Sequence, residues 1–214
     1  MRDERRKPVL LTQRLILASG SPRRLDLLAQ AGITPDKLLP MDLDETPRRA
    51  EHPRSLARRL AHDKAEAAFQ SLRTDPQWAG SFILAADTVV AVGRRILGKP
   101  EYLEEASSSL HLLSGRSHWV YTGICLITPQ GTSRVKVIET KVRFKRLTMQ
   151  ELKFYLASGE WRGKAGGYAI QGFAGTFIQK LSGSYSAVVG LPLSETIQLL
   201  TGEGFRFHEK WQEG

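Results

Sequence analysis

The sequence has few of the features that mark secretion, membranes or redox chemistry. One cysteine, Cys125, stands among 214 residues, so no intramolecular disulfide can form. It lies in the apolar run Val120 to Ile127 and reads as a small core residue, not a nucleophile. No run approaches the ~18 consecutive apolar residues of a membrane-spanning helix. The opening MRDERRKP lacks the apolar segment of a signal peptide, and the expected location is the cytoplasm. Internal repeats and strong linkers are absent. Acidic residues are scarce: 22 Asp and Glu stand against 31 Lys and Arg, for a net charge of +9. That excess suits a phosphate-bearing partner, whether a nucleotide, a nucleic acid or an anionic surface, without choosing among them. Much of it is local. Residues 1–7 hold four basic and two acidic side chains, and residues 48–64 hold six and two, each equally explained as a solvated face.

What is present is 41% hydrophobic content, enough for a real core in one domain or two closely joined halves. The chain is organised around Leu15 to Ile33. Leu15–Ala18 is a short apolar run of the kind found inside a sheet, broken by Ser19-Gly20-Ser21. Ser21 suits an N-cap, and Pro22 suits the first helical position, where a missing N–H costs nothing. Leu25, Leu28, Ala29 and Gly32 recur at helical spacing up to a glycine stop. A helix N-terminus carries unpaired N–H groups and partial positive charge, yet Arg23 and Arg24 sit in this first turn. A phosphate bound there would reconcile them; the alternative is that both point to solvent.

Further along, Thr34–Thr46 predicts a short strand and then a loop ending in Asp42, Asp44 and Glu45, whose spacing fits no metal-loop pattern. A helix is predicted from Pro53 to about Leu72, with Ala57, Leu60, Ala61, Ala65, Ala68, Phe69 and Leu72 in one stripe. Lys64 falls inside that stripe, seven residues after Ala57 and four before Ala68. Either it meets an anion or its head snorkels out over apolar surface. Phe82–Val92 reads as an interior strand interrupted by Asp87. A buried carboxylate costs several kcal/mol unless compensated, which makes Asp87 a functional candidate; otherwise the strand ends at Ala86 and Asp87 caps a turn. Gly93-Arg94-Arg95 reads as a hairpin turn that brings Gly98-Lys99-Pro100 beside a strand end.

A helix over Glu101–Leu113 follows, with apolar positions Leu103, Ala106, Leu110 and Leu113. A long hairpin of Ser117–Thr128 and Thr132–Leu147 comes next, then a helix Met149–Ser158 opened by a Thr148/Glu151 capping box. Residues 159–190 hold eight of the nineteen glycines, a density that predicts short curved strands with backbone close to a ligand. Pro192 opens a last helix ending at Gly202, and HEKWQEG reads as a frayed tail. The expected class is α/β, with a long mixed, curved sheet flanked by helices and a central cleft between two halves.

Several motifs occur in the order seen in the Maf family: Leu17-Ala18-Ser19-Gly20-Ser21-Pro22-Arg23-Arg24, Ala86-Asp87-Thr88-Val89-Val90, Gly98-Lys99-Pro100 and Ser114-Gly115-Arg116-Ser117-His118. The runs Lys164-Ala165-Gly166-Gly167-Tyr168-Ala169-Ile170-Gln171-Gly172 and Gly183-Ser184-Tyr185 to Val189-Gly190-Leu191-Pro192 extend the resemblance from residue 15 to about 200. The chain therefore resembles Maf proteins, which are similar to nucleoside triphosphate pyrophosphatases that release a nucleoside monophosphate and pyrophosphate with a divalent metal. The resemblance implies a Maf/ITPase-like fold and a single domain at 15–205, between a basic extension at 1–14 and a tail at 206–214.

It further implies that Arg23, Arg24, Lys64 and Lys99 hold phosphates, and that Glu45 and Asp87 serve the metal (Mg²⁺ or Mn²⁺) and the water. Asp87 would do so as proton acceptor or as metal ligand. Ser19, Ser21 and Thr88 would join the arginines in substrate binding, and Gln171 would select the base. The Ser-Pro-Arg-Arg, Asp-Thr and Ile-Gln-Gly motifs are similar to the dTTP/UTP-type branch, not the 7-methyl-GTP type. At Gly163 the sequence departs from the aspartate that commonly precedes Lys-Ala-Gly, which bears on that loop's salt bridges and not on the reaction. The implied partner is a nucleoside triphosphate; a homodimer and a role in cell-division arrest are compatible with the family. The competing class is a non-catalytic nucleic-acid-binding or division-regulatory protein. Against it, the motif cations sit among glycines and acids, not among aromatics that would stack on bases.

Overall fold

The computed structural model describes residues 13–207; the basic extension up to residue 12 and the tail from residue 208 lie outside the described residues. Strand β1 (Leu15–Leu17) leads into helix α1 (Pro22–Gln30), then β2 (Lys37–Leu38), the long α2 (Pro53–Leu72), β3 (Phe82–Val92) and β4 (Arg95–Leu97). After α3 (Leu103–Leu113) come β5 (Ser117–Ile127), β6 (Ser133–Phe144), α4 (Met149–Ser158), β7 (Ile178–Ser182), α5 (Tyr185–Val189) and α6 (Leu193–Gly202). Seven strands form one mixed sheet in the order β2-β1-β3-β5-β6-β7, with β4 also on β3.

The register creates a notch. β1 runs parallel to β3 only from Leu15↔Phe82 to Leu17↔Leu84, and β4 pairs with the same edge only from Val90↔Leu97 onward. Between them Ala85–Val89 has a strand on its other side alone, where β5 pairs throughout. Asp87 and Thr88 sit at that gap. The predicted central cleft is this missing stretch of sheet edge, walled by the loop leaving β1 and the loop leaving β4.

Period-two alternation sorts the side chains of β3. Leu84, Ala86 and Val90 join the larger core with Leu28, Leu110, Leu152, Leu199 and Leu200 of α1, α3, α4 and α6. Ile83, Ala85, Val89 and Ala91 face α2, against Ala57, Leu60, Ala61 and Ala65. Asp87 shares this second face. Its cross-strand partner on β5 is Gly123, and a Cβ there would run into the Ala57 carbonyl of α2. Glycine at 123 and alanines at 57 and 61 thus let α2 lie close to the sheet, two turns from the position of Lys64. Cys125 is buried on the same face, with burial pushing its thiol up to about 11, as suits a core residue.

Several expectations needed correction. Ser21 occupies the N-cap position, but its side chain makes no capping hydrogen bond. In α1 the buried positions are Leu27 and Leu28, while Ala29 is exposed, because the core meets the helix one position round from the predicted stripe. Helix α3 starts at Leu103, not Glu101, and Leu103 is exposed, since Tyr102 takes the N-cap and Glu105 closes the capping box. The glycine-rich stretch forms 3₁₀ turns at Ala165–Gly167 and Phe173–Phe177 and one strand, β7, where several short strands were predicted. Positive φ at Gly166 and Gly167 turns that backbone where an extended strand would run straight. The strand alternative for Asp87 is settled: β3 runs through it to Val92, and the residue is buried.

Candidate active site

The cleft at the notch encloses about 350 Å³ and is lined by all ten residues singled out from the sequence: Ser19, Ser21, Arg23, Arg24, Glu45, Lys64, Asp87, Thr88, Lys99 and Gln171. Six separate parts of the chain bring them together, with α2 supplying Lys64 and β3 supplying Asp87 and Thr88. The β1–α1 loop and the first turn of α1 form one wall, the loop before α2 supplies Glu45, and the exit of β4 supplies Lys99. The glycine-rich turn supplies Gln171.

At its centre lies a chain of alternating charge. Lys64 is only 7% exposed, and its Nζ donates to Asp87 Oδ1 at 2.6 Å and Glu45 Oε1 at 2.5 Å. The other Glu45 oxygen accepts from Lys99 Nζ at 2.8 Å. Lys64 therefore meets anions and does not snorkel. Burial raises the Glu45 carboxyl, but hydrogen bonds and charge from Lys64 and Lys99 outweigh it and hold its pKa at about 2. Of the acidic cluster at 42–45, Asp42 and Asp44 are exposed and Glu45 alone turns into the cleft. Asp87 Oδ2 has no hydrogen-bond partner among the described residues, so this oxygen remains available to water or a cation.

The two neighbouring arginines are placed differently. Arg24 Nε donates to the Gly190 carbonyl at 2.8 Å, and its terminal nitrogens reach Ser19 Oγ at 3.0 Å and Thr88 Oγ1 at 3.4 Å. Burial lowers its pKa, which the Asp87 charge partly offsets. Arg24 thus ties the wall of α1 to β3 and to the end of α5. Arg23, by contrast, has no hydrogen bond or ion pair among the described residues, and it is the free guanidinium at the helix N-terminus. Ser19 Oγ also accepts the Ser21 N–H at 3.2 Å, fixing the loop. Thr88 Oγ1 lies 3.2 Å from Thr122 Oγ1, which donates to the Ala187 carbonyl at 2.7 Å.

Reasoning from sequence missed several contributors. Lys164 lines the cleft, and its charge is disfavoured by burial and then by Arg23. Gly190 supplies a carbonyl to Arg24, and Tyr168 lines the cleft with its hydroxyl 2.8 Å from buried His118 Nε2. The glycine density of 159–190 marked the region without identifying these residues. Gln171 itself is exposed, and its side chain makes no hydrogen bond among the described residues.

The donor set suits a hard divalent cation. Glu45 and Asp87 both bring carboxylate oxygens to one ammonium, so they already share a cation between them. No group of three or more His, Cys, Asp or Glu is placed to hold a metal among the described residues. Mg²⁺ in phosphate-processing sites is bound in this sparse way, by one or two carboxylates with substrate oxygens and water filling the remaining positions.

Comparison with known proteins identifies the family. A profile described as Maf-like protein matches residues 14–203. A protein of Rhizobium meliloti (strain 1021) named dTTP/UTP pyrophosphatase is 69% identical over 204 residues, covering 95% of this chain and 99% of its own. A protein of Rhizobium etli with the same name is likewise 69% identical over the same shares. Among solved structures, the Ham1 protein of Staphylococcus aureus aligns at 17% identity over 62% of this chain and 72% of that one, with a TM-score of 0.41, too distant to carry weight. No described helix is long and apolar enough to cross a membrane. The profile spans the sheet, the notch and every residue of the charge chain, and on that ground the chain belongs to the Maf family.

Proposed function

We propose that this protein is a nucleoside triphosphate pyrophosphatase that hydrolyses the α,β-phosphoanhydride of dTTP and UTP, acting in the cytoplasm, with residues 15–205 as its single catalytic domain. One observation carries the reading: two carboxylates and two lysines converge beside a helix N-terminus that presents Arg23, unpaired among the described residues. The pyrimidine preference is supported by the names of the relatives and by Gln171, whose amide offers both a donor and an acceptor to a ring that shows N3–H and two carbonyls.

In this reading Arg23 and the N–H groups of α1 take phosphate oxygens. Lys64 and Lys99 neutralise charge that develops on the pyrophosphate leaving group. Asp87 Oδ2 orients the attacking water toward the α-phosphorus and accepts its proton. Arg24 holds the walls of the cleft at a fixed spacing. Glu45 and Asp87 are the residues that would hold a divalent cation, which when bound would screen phosphate charge and lower the pKa of water.

Product analysis tests the proposal. Purified protein with dTTP or UTP and Mg²⁺ or Mn²⁺ is expected to release nucleoside monophosphate and pyrophosphate. Release of orthophosphate and nucleoside diphosphate rejects it. The competing nucleic-acid-binding reading predicts duplex or single-strand binding with a steep salt dependence, and nothing at the cleft favours it.

A further inference from the structure

Gln171 sits on a turn whose backbone is pinned from outside the cleft. Glu160, just past α4, accepts the Phe173 N–H on Oε2 at 2.9 Å and the Ala174 N–H on Oε1 at 3.3 Å. Tyr155, buried on α4, accepts the Ala169 N–H on its hydroxyl at 3.3 Å, and the Gly172 N–H closes the turn onto the Ala169 carbonyl at 3.1 Å. Gln171 is thereby held between fixed amides on both sides while its own side chain stays unbonded. Glu160 is not among the residues that line the cleft, so it does not act by touching substrate.

The fit of turn and carboxylate is close. A Cβ on Gly172 would meet all three terminal atoms of Glu160, so glycine is required for the carboxylate to lie over the turn. Carboxylate hydrogen bonds to backbone N–H groups are charge-assisted and stronger than neutral ones. A selective amide must be held in place by its surroundings to discriminate, since a freely moving one re-pairs with whichever base arrives.

We propose that Glu160 is a positioning residue for base selection, fixing the 169–174 turn so that Gln171 presents its amide to the nucleobase in one setting. This rests on the reading of Gln171 as base selector. It places the determinant of the preference for uracil and thymine partly outside the cleft, at the end of α4.

The test is steady-state kinetics of the full chain with Mg²⁺ and UTP, dTTP, CTP, GTP and ATP, for wild type, Glu160→Ala, Glu160→Gln, Gly172→Ala, Gln171→Ala and the Glu160→Ala/Gln171→Ala pair. Glu160→Ala is expected to lower the kcat/KM ratio of UTP over CTP about tenfold, through KM for UTP and with kcat nearly unchanged. Glu160→Gln, which keeps one acceptor, is expected to lose less. Gly172→Ala, which deletes no hydrogen-bonding group, is expected to behave like Glu160→Ala. The pair is expected to lose no more than Gln171→Ala alone, because both changes act through one amide. If Glu160→Ala does not fold, Glu160→Gln and Gly172→Ala carry the test. A wild-type ratio in the Glu160 and Gly172 variants alongside an altered ratio in Gln171→Ala overturns the role of Glu160 and leaves that of Gln171. An unaltered ratio in Gln171→Ala removes the base selector, and this proposal with it.

Discussion

Lys64 on α2 and Asp87 on β3, 23 residues apart in the chain, meet at 2.6 Å with each side chain less than one-tenth exposed. Neither charge has bulk water to fall back on. Lys64 is held by Asp87 and Glu45, and Asp87 by Lys64 and the field of Arg24.

That pairing sets the sign of a stability effect. From the sequence alone, Lys64→Met restores an apolar stripe and is expected to raise stability. In the structure it leaves Asp87 buried without its ammonium, which costs about 3–5 kcal/mol when one partner of a buried pair is removed. Lys64→Met is therefore expected to melt lower than wild type, and Lys64→Met/Asp87→Asn to recover much of the loss. Thermal unfolding of both variants decides it, and a single variant that melts higher than wild type refutes the coupling.

Asp87→Asn keeps the shape and removes the charge. Because Lys64 retains Glu45, the fold is expected to persist, with kcat reduced roughly 10²–10⁴-fold as for loss of a general base. Initial rates with UTP, alongside circular dichroism to check the fold, test this; wild-type turnover would remove Asp87 from the chemistry.

Replacing Gln171 by Glu swaps a donor–acceptor amide for acceptors alone. The expected result is retained pyrophosphate release, with preference for UTP and dTTP reduced about ten- to a hundredfold relative to other nucleotides. A panel of common nucleoside triphosphates plus 7-methyl-GTP measures it, and an unchanged order of preference counts against the assignment.

His118 gives a pH dependence. It is 1% exposed, its Nδ1 has no hydrogen-bond partner among the described residues, and burial pushes its pKa down from 6.5 to about 4. The unfolded chain therefore binds a proton below about pH 6.5 that the folded chain does not bind until about pH 4. Stability is expected to fall as pH drops through that window, by about 1.4 kcal/mol per unit and ~3 kcal/mol in all. Glu45, depressed to about 2, has the ordinary carboxylate sign: its contribution is present above its usual pKa of 4.5 and is lost as pH falls toward 2. The two windows meet only between about pH 4 and 4.5. Urea titrations between pH 4.5 and 7 on wild type and His118→Phe should show the slope vanish in the variant; a persisting slope assigns it elsewhere.

Gly123→Ala tests how α2 is seated. The added methyl meets the Ala57 carbonyl, backbone that cannot rotate aside, so α2 must shift. Overpacking of this kind costs about 1–3 kcal/mol. Because α2 carries Lys64 to Asp87, turnover is expected to fall together with the melting temperature. A stable variant with full activity would show that the close approach is not needed.

Much of the fold was legible because local rules and tertiary demands coincide. The apolar run 82–92, the stripe of α2, the Thr148/Glu151 capping box and the hairpin turn before Lys99 each follow from residue type and spacing, and each stands where expected. Lys64 and Asp87 were visible for the opposite reason: a charge among apolar neighbours violates a local rule, and such violations need a partner. Only the family resemblance separated Glu45 from Asp42 and Asp44, because in a loop without periodicity no local pattern says which carboxylate turns inward.

The sequence by itself determined the elements, the charges that needed partners and the family motifs. Tertiary structure alone decided who those partners are. The notch in the edge of β3 arises from where β1 stops and β4 begins, a long-range register that no local pattern encodes. It also decided that Arg24 is occupied by Gly190, Ser19 and Thr88 while adjacent Arg23 stays open, since neighbours on a helix point about 100° apart. The same holds for Glu160, whose carboxylate reaches a turn 13 residues on through space that only the folded chain defines.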